Sequence, residues 1–184
     1  MQLTGDSAGA NLVNQLFLHM LHPVDGVPVV KAGTRFCGAY LMSPWLFLLP
    51  RPGVKSYLEN SLHDIVPSAR NYKEFGNLVL SGLPNTRTDM PYVDISNIPE
   101  GWYDGVEKVV ERVLITTGGM ECIRDDVVEF ADIFCKAHPG AEFVVDKFGV
   151  HDDPFFDFLV GEKVHAEATP LIAQWLADRF TLEK

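Results

Sequence analysis

The chain has 184 residues, of which 47% are hydrophobic and 22% are charged, and its formal net charge at pH 7 is −10. This length and composition fit one globular domain with a sizeable core, so we expect residues 1–184 to form a single domain. The acidic balance disfavours nucleic acid and anionic membrane surfaces as partners, because both need a basic face.

Cysteine usage and hydropathy exclude several further classes. Cys37, Cys122 and Cys135 are odd in number and form no C-x-x-C pair, so we expect neither a disulfide framework nor a zinc site. The apolar run "YLMSPWLFLLP" is too short to span a bilayer. No signal peptide is visible, and we assign the cytoplasm only by default, because a targeting segment could precede the chain.

The first motif in the chain is G-D-S-A-G at residues 5–9, which fits the G-x-S-x-G pattern of a nucleophile elbow. In such an elbow a serine lies on a sharp turn between a strand and a helix, and the glycines allow close backbone approach. The apolar residues of 8–22 recur at helical spacing, and Pro23 then ends the predicted helix. The alternative is an ordinary turn in which Ser7 or Asp6 caps a helix.

Three short apolar runs predict buried strands at residues 36–43, 112–117 and 142–148. A helix is predicted over residues 124–138, and a last helix over 169–180 with Thr169 as its N-cap. With the strand remnant at residues 1–4 before the elbow, these runs make about four strands. Their alternation with helices indicates a mainly parallel α/β sheet flanked by helices.

Residues 49–110 interrupt this alternation. They contain one predicted helix, at 67–81, followed by a stretch rich in Pro, Asp and Asn. A long irregular segment of this kind often belongs to a binding site, and a structural crossover that covers the sheet is the alternative.

A serine nucleophile needs a base to take its proton and an acid to orient that base. His151 lies on a loop directly after the last predicted strand, at the sheet edge where the ends of parallel strands meet. The other histidines lie on helices, in the middle segment or late in the chain. We therefore predict that His151 is the base for Ser7.

The acid should follow the strand at residues 112–117. Glu121 is the first carboxylate after that strand and is our first choice. Asp125 is the alternative, although an acid in the first turn of a helix also stabilises that helix.

The motifs GDSAGANL, LMSPWLFL, VLITTGGMECIRDD and HDDPFFD together resemble the hormone-sensitive-lipase-like branch of the α/β-hydrolase superfamily, which includes fungal esterases and steryl acetyl hydrolase-like proteins. The resemblance puts Ser7 on the nucleophile, His151 on the base and the N–H of Ala8 in the oxyanion hole. Glu121 falls where most of the family has aspartate, and Asp125 falls on a second, structural acid.

The resemblance covers only the C-terminal part of such a hydrolase. The family's long N-terminal part carries its first strands and an H-G-G-G-like oxyanion loop, and no such motif occurs here. We therefore expect a weak or inactive enzyme when this chain is alone. We also expect the strand before Ser7 to form an open sheet edge, through which two copies could pair.

The function that the resemblance implies is hydrolysis of small, apolar carboxylic esters through an acyl-enzyme, with no metal and no organic cofactor. Two alternatives stay open at this point. The chain could be a ligand-binding protein with a hydrolase-like fold and no catalysis, or a truncated product with no function of its own.

Overall fold

The structure, a computed structural model, describes residues 1–30, 35–83, 89–161 and 168–178. The described strands form a four-stranded sheet in which each strand is parallel to the next. In chain order and in sheet order they are β1 (Gln2–Asp6), β2 (Gly38–Met42), β3 (Val113–Gly118) and β4 (Ala141–Asp146). The predicted parallel α/β sheet is thus confirmed, and its carboxyl-terminal edge brings together the ends of all these strands.

Helices flank the sheet and fill the crossovers between strands. They are α1 (Ser7–Leu21), α2 (Ser56–Glu59), α3 (Ala69–Gly82), α4 (Met90–Val93), α5 (Arg124–Ala137), α6 (Asp153–Leu159) and α7 (Ala168–Ala177), with 3-10 turns at Ile95–Asn97 and Val106–Lys108. None of these helices is long and apolar enough to cross a membrane, within the part of the chain that the structure describes.

The core has two parts, one on each face of the sheet, because β2 and β3 are buried along their whole length. Alternate residues of a strand point to opposite faces. Leu41 and Ile115 therefore face the cluster that contains the aromatic residues of α1 and α5, while Met42 and Leu114 face α7.

The described boundaries of the four predicted helices agree with the structure to within a few residues. The predicted N-cap role of Thr169 is wrong, because the helix already includes Ala168 and the Thr169 hydroxyl donates to the carboxylate of Asp157. The predicted end of this helix, at residues 179–180, lies outside the described residues.

At one end of the described sheet, β1 pairs only with β2. Thr4 and Asp6 of this strand are exposed. Association of two copies through β1 stays a prediction, which the mass of the chain in solution would test.

The crossover between β2 and β3 packs closely onto the segment that follows β2. A Cβ added at Gly76 of α3 would lie 2.1 Å from the carbonyl oxygen of Leu48, whereas one added at Gly82 of the same helix would meet nothing within 4 Å. The close approach of α3 therefore requires glycine at position 76.

We predict that Gly76→Ala lowers the free energy of unfolding by about 1–3 kcal/mol through overpacking, although alanine favours helix more than glycine does. Gly82→Ala is the matched control and should leave stability unchanged or slightly raised. Urea unfolding followed by circular dichroism measures both. Equal stability of the two variants would contradict the packing of α3.

Candidate active site

Ser7 lies at the junction of β1 and α1, where the chain turns sharply from strand into helix. Its φ of 46° is in the left-handed region, which costs a residue with a side chain about 1–3 kcal/mol. The N–H of Trp45 donates to the Ser7 carbonyl at 3.1 Å and helps to fix the turn. Strain of this kind persists only where the surrounding structure holds it in place.

The two glycines of the motif do not contribute equally to the turn. A Cβ at Gly5 would lie 2.5 Å from the carbonyl oxygen of Gly9, so position 5 must be glycine for the turn to close. A Cβ at Gly9 would make only an ordinary contact, at 3.7 Å from the carboxylate of Asp6. The close approach predicted from the motif is thus required at Gly5.

His151 follows β4 and is 3% exposed, and its imidazole lies between the other two predicted residues. Nε2 is 2.9 Å from Oγ of Ser7, and Nδ1 is 3.0 Å from Oε2 of Glu121. With the proton on Nδ1, Nε2 is free to accept the serine proton. The structure therefore brings together three side chains that are 144 and 30 residues apart along the chain.

The other described histidines have partners away from this site. His19 contacts Pro28, His22 stacks on Trp102, and His138 lies near the Val110 carbonyl. The backbone N–H of His63 donates to the carbonyl of Asn60. His165 lies outside the described residues.

Glu121 is fully buried and its carboxylate accepts hydrogen bonds from three parts of the chain. Oε2 faces His151, while Oε1 accepts from Oγ of Ser43 at 2.7 Å and from the N–H of Gly118. Charge-assisted bonds of this kind offset the cost of removing a carboxylate from water.

Asp125, the alternative acid, lies in the first turn of α5 and points elsewhere. Its Oδ2 accepts from the backbone N–H groups of Lys55 and Ser56, and its Oδ1 accepts from Arg124. Although burial alone would raise its pKa, these bonds lower the pKa of Asp125 below its usual value. Its contacts are those of a structural carboxylate.

Sequence reasoning missed Ser43, which supports Glu121 from the neighbouring strand. Ser43 has a φ of 46° and follows β2 directly. Its N–H donates to the Thr116 carbonyl, and its Oγ accepts from the N–H of Asp152 at 3.3 Å. A serine directly after a buried strand, at the same sheet edge as the other site residues, was the available signal.

The loops that carry the acid and the base touch through their backbones. A Cβ at Gly118 would lie 2.2 Å from the Gly149 carbonyl oxygen, and one at Gly119 would lie 2.4 Å from that of Lys147. The sequence indicated only that these glycines end a strand. Their absent side chains let the two loops approach closely enough for Glu121 to reach His151.

The charges around the imidazole determine its proton affinity. Burial alone would lower the pKa of His151, but the bond and charge of Glu121, with smaller contributions from Asp152 and Asp64, raise it above 6.5. Burial also raises the pKa of Asp152 to about 6, and its Oδ2 lies 3.4 Å from Nε2 of His151. The neutral imidazole that can accept the serine proton therefore forms only as the pH rises through this elevated pKa.

The described ranges contain no group of three or more His, Cys, Asp or Glu side chains arranged to hold a metal ion. The chemistry available to the cluster is proton transfer and nucleophilic attack by Ser7. Ala8 lies in the first turn of α1, where backbone N–H groups have no partner within the helix, and its N–H is placed to stabilise a negative oxygen beside Ser7.

The solved structures that this chain resembles include two esterases and a lipase. A hormone-sensitive lipase from a metagenome library superposes with a TM-score of 0.68 at 21% identity, covering 97% of this chain and 54% of that protein. The fold is part of an α/β-hydrolase fold. Esterase LipW from Mycobacterium marinum gives 0.66 at 20% identity over 98% and 50% of the two chains. An esterase of the bacterial hormone-sensitive lipase family gives 0.60 at 22% identity over 86% and 46%.

The chain spans about half the length of these α/β-hydrolases, so its fold is part of theirs, as the sequence motifs predicted. No protein-family profile and no curated protein sequence matches it. The resemblance to fungal members stays a prediction.

We predict that Glu121→Gln lowers the pKa of His151, because the substitution removes the charge that favours the imidazolium. Asp125→Asn is the matched control and should leave that pKa close to its value in the unaltered chain. Titration of the imidazole signals by NMR measures both. A fall in the control as large as that in Glu121→Gln would contradict the assignment of Glu121 as the distinct partner of the base.

Proposed function

We propose that this chain carries the nucleophile, base and acid of a serine hydrolase that cleaves carboxylic esters. The nucleophile is Ser7, the base is His151 and the acid is Glu121. The observation that supports this most strongly is the unbroken relay from Oγ through the imidazole to the carboxylate, at 2.9 and 3.0 Å. The esterases and lipases that share the fold support esters as the substrate class.

The reaction follows from the geometry of the relay. Nε2 of His151 takes the proton of Ser7 as Oγ attacks the ester carbonyl carbon, and Glu121 offsets the charge of the imidazolium. The imidazolium then gives its proton to the departing alcohol, which leaves an acyl group on Oγ. A water molecule deprotonated by His151 attacks this acyl group and regenerates the serine.

Stabilisation of the oxyanion limits the rate that we expect from this chain. Ala8 offers one backbone donor beside Ser7, and the sequence contains no H-G-G-G-like motif to offer others. Loss of one oxyanion donor costs about 10²–10³ in turnover. We therefore expect an activated Ser7 that reacts with electrophiles but turns esters over slowly.

An apolar cavity beside Ala8 supports an apolar acyl group as the substrate. It has a volume of about 170 Å³ and extends from α1 toward α3. Its apolar lining consists of Ala8, Leu12, Trp45, Leu48, Val79 and Val93. A short to medium acyl chain would bury its methylene groups here, at about 0.8 kcal/mol for each group.

We predict that a fluorophosphonate labels the chain once, at Ser7, as detected by mass spectrometry of the intact chain and its peptides. Ser7→Ala should abolish labelling, and His151→Ala should slow it by at least about 10³-fold, because the serine loses its base. Ser81→Ala, at an exposed serine of α3, is the control and should label normally. Failure of the unaltered chain to label at Ser7 would instead favour the two non-catalytic alternatives, a ligand-binding protein or a truncated product.

We predict that Val79→Trp fills the cavity and selectively slows labelling by a long-chain probe. The ratio of the labelling rate of an octyl fluorophosphonate to that of an ethyl one should fall by about tenfold. This fall corresponds to one or two methylene groups that are no longer buried in the cavity. Leu78→Trp, at the exposed neighbouring position, should leave the ratio unchanged. An unchanged ratio in Val79→Trp would show that the acyl group binds elsewhere.

A further inference from the structure

Asp64 lies in the crossover between α2 and α3, far from the site residues in sequence, yet its carboxylate contacts both the acid loop and the base loop. The residue is 7% exposed. Its Oδ2 accepts from the N–H of Cys122, the residue after Glu121, at 2.7 Å. Its Oδ1 accepts from the N–H of His151 itself at 3.0 Å and from the N–H of Ile65 at 2.8 Å.

Neighbouring residues of the crossover hold the acid loop from the same side. Nδ2 of Asn60 donates to the carbonyl of Glu121 at 2.7 Å and to that of Gly119 at 3.2 Å. Oγ of Ser56 donates to the carbonyl of Cys122 at 2.7 Å. The backbone on both sides of the Glu121 side chain is therefore bonded to one short segment, residues 56–64.

We propose that Asp64, supported by Asn60, is a positioning residue that sets the distance between Glu121 and His151. The proposal rests on the proposed function for its effect on reactivity. Because each carboxylate oxygen serves a different loop, the single side chain joins the backbone next to the acid to the backbone of the base. A misplacement of about 1 Å in such a relay can cost about 10²-fold in rate.

An asparagine at this position would have the same size but only one accepting oxygen. Its amide nitrogen would face the N–H of one loop, donor against donor, so that one of the two loops would lose its bond. Asp64→Asn therefore releases the coupling between the loops with little change in volume.

Asp126→Asn is the matched control for loss of a buried carboxylate. Asp126 is 2% exposed and accepts from Arg51 and from the hydroxyl of Tyr57, and it makes no bond to Glu121 or His151. Its substitution should destabilise the fold to a similar degree without altering the relay.

The first readout is the rate of phosphonylation of Ser7 as a function of pH. Among the groups around the imidazole, Glu121 and Asp152 remain in Asp64→Asn, as does the ring of Tyr72 that packs edge-on against His151. We expect the plateau rate at high pH, where the imidazole is neutral, to fall by about tenfold or more in Asp64→Asn and to stay unchanged in Asp126→Asn. Equal plateau rates in Asp64→Asn and the unaltered chain, or equal falls in both variants, would overturn the proposal.

The second readout does not depend on the reaction. Exchange of the Nδ1 proton of His151 with solvent, followed by NMR, should become about tenfold faster in Asp64→Asn and stay unchanged in Asp126→Asn, because only the first variant loosens the contact with Glu121. If Ser7 is unreactive in the unaltered chain, the proposed function fails while this readout still tests the positioning. Unchanged exchange in Asp64→Asn would refute the positioning even where Ser7 reacts.

A second variant covers the case in which Asp64→Asn does not fold. Asn60→Ala removes the bonds to the carbonyls of Glu121 and Gly119 and leaves Asp64 in place. As in Asp64→Asn, exchange of the Nδ1 proton should become faster and the plateau rate of phosphonylation should fall, each by a smaller factor than in Asp64→Asn. No change in either quantity would contradict a role for the segment 56–64 in positioning the relay.

Discussion

The carboxylate of Glu121 is enclosed in the protein, and a buried carboxylate is stable only where hydrogen-bond donors surround it. Its donors come from Ser43, Gly118 and His151, which lie at or just beyond the ends of β2, β3 and β4. Because the buried Glu121 carboxylate needs these hydrogen bonds, the chain segments that follow β2, β3 and β4 lie close together around it. This arrangement places the other nitrogen of the His151 imidazole next to Ser7, at the end of β1.

The rest of the fold makes this convergence possible. A parallel sheet collects the ends of its strands at one edge, and close backbone packing at Gly5 and Gly118 brings the turns within hydrogen-bond reach. The crossover between β2 and β3 contributes from the outside, because Asp64 and Asn60 bond to the loop backbones. Part of the middle segment, residues 56–64, thus bonds to the loops that carry Glu121 and His151.

The sequence alone predicted the strands, the longer helices and three candidate site residues, because those signals are local. A serine between glycines before an amphipathic helix predicts an elbow, and a histidine after the last strand suggests its base. The choice between Glu121 and Asp125 could not be made from spacing, since both follow the same strand closely. Only the folded chain shows that Asp125 bonds to Lys55, Ser56 and Arg124.

The contacts that sequence reasoning missed join distant parts of the chain. The bond from Ser43 to Glu121 spans 78 residues and that from His151 to Asp64 spans 87, so no periodicity or motif could reveal them. The error at Thr169 has a similar origin. A local capping pattern was overridden there by a bond to Asp157.

We propose that the imidazole of His151 holds its proton toward Glu121 and offers an unprotonated nitrogen to Ser7. The most direct measurement is the nitrogen-15 NMR spectrum of the histidine side chains at a pH above the pKa of His151, with the signal assigned by comparison with His151→Ala. Our account predicts that the neutral ring carries its proton on Nδ1. A ring that carries its proton on Nε2 could not accept the proton of Ser7 and would contradict the account.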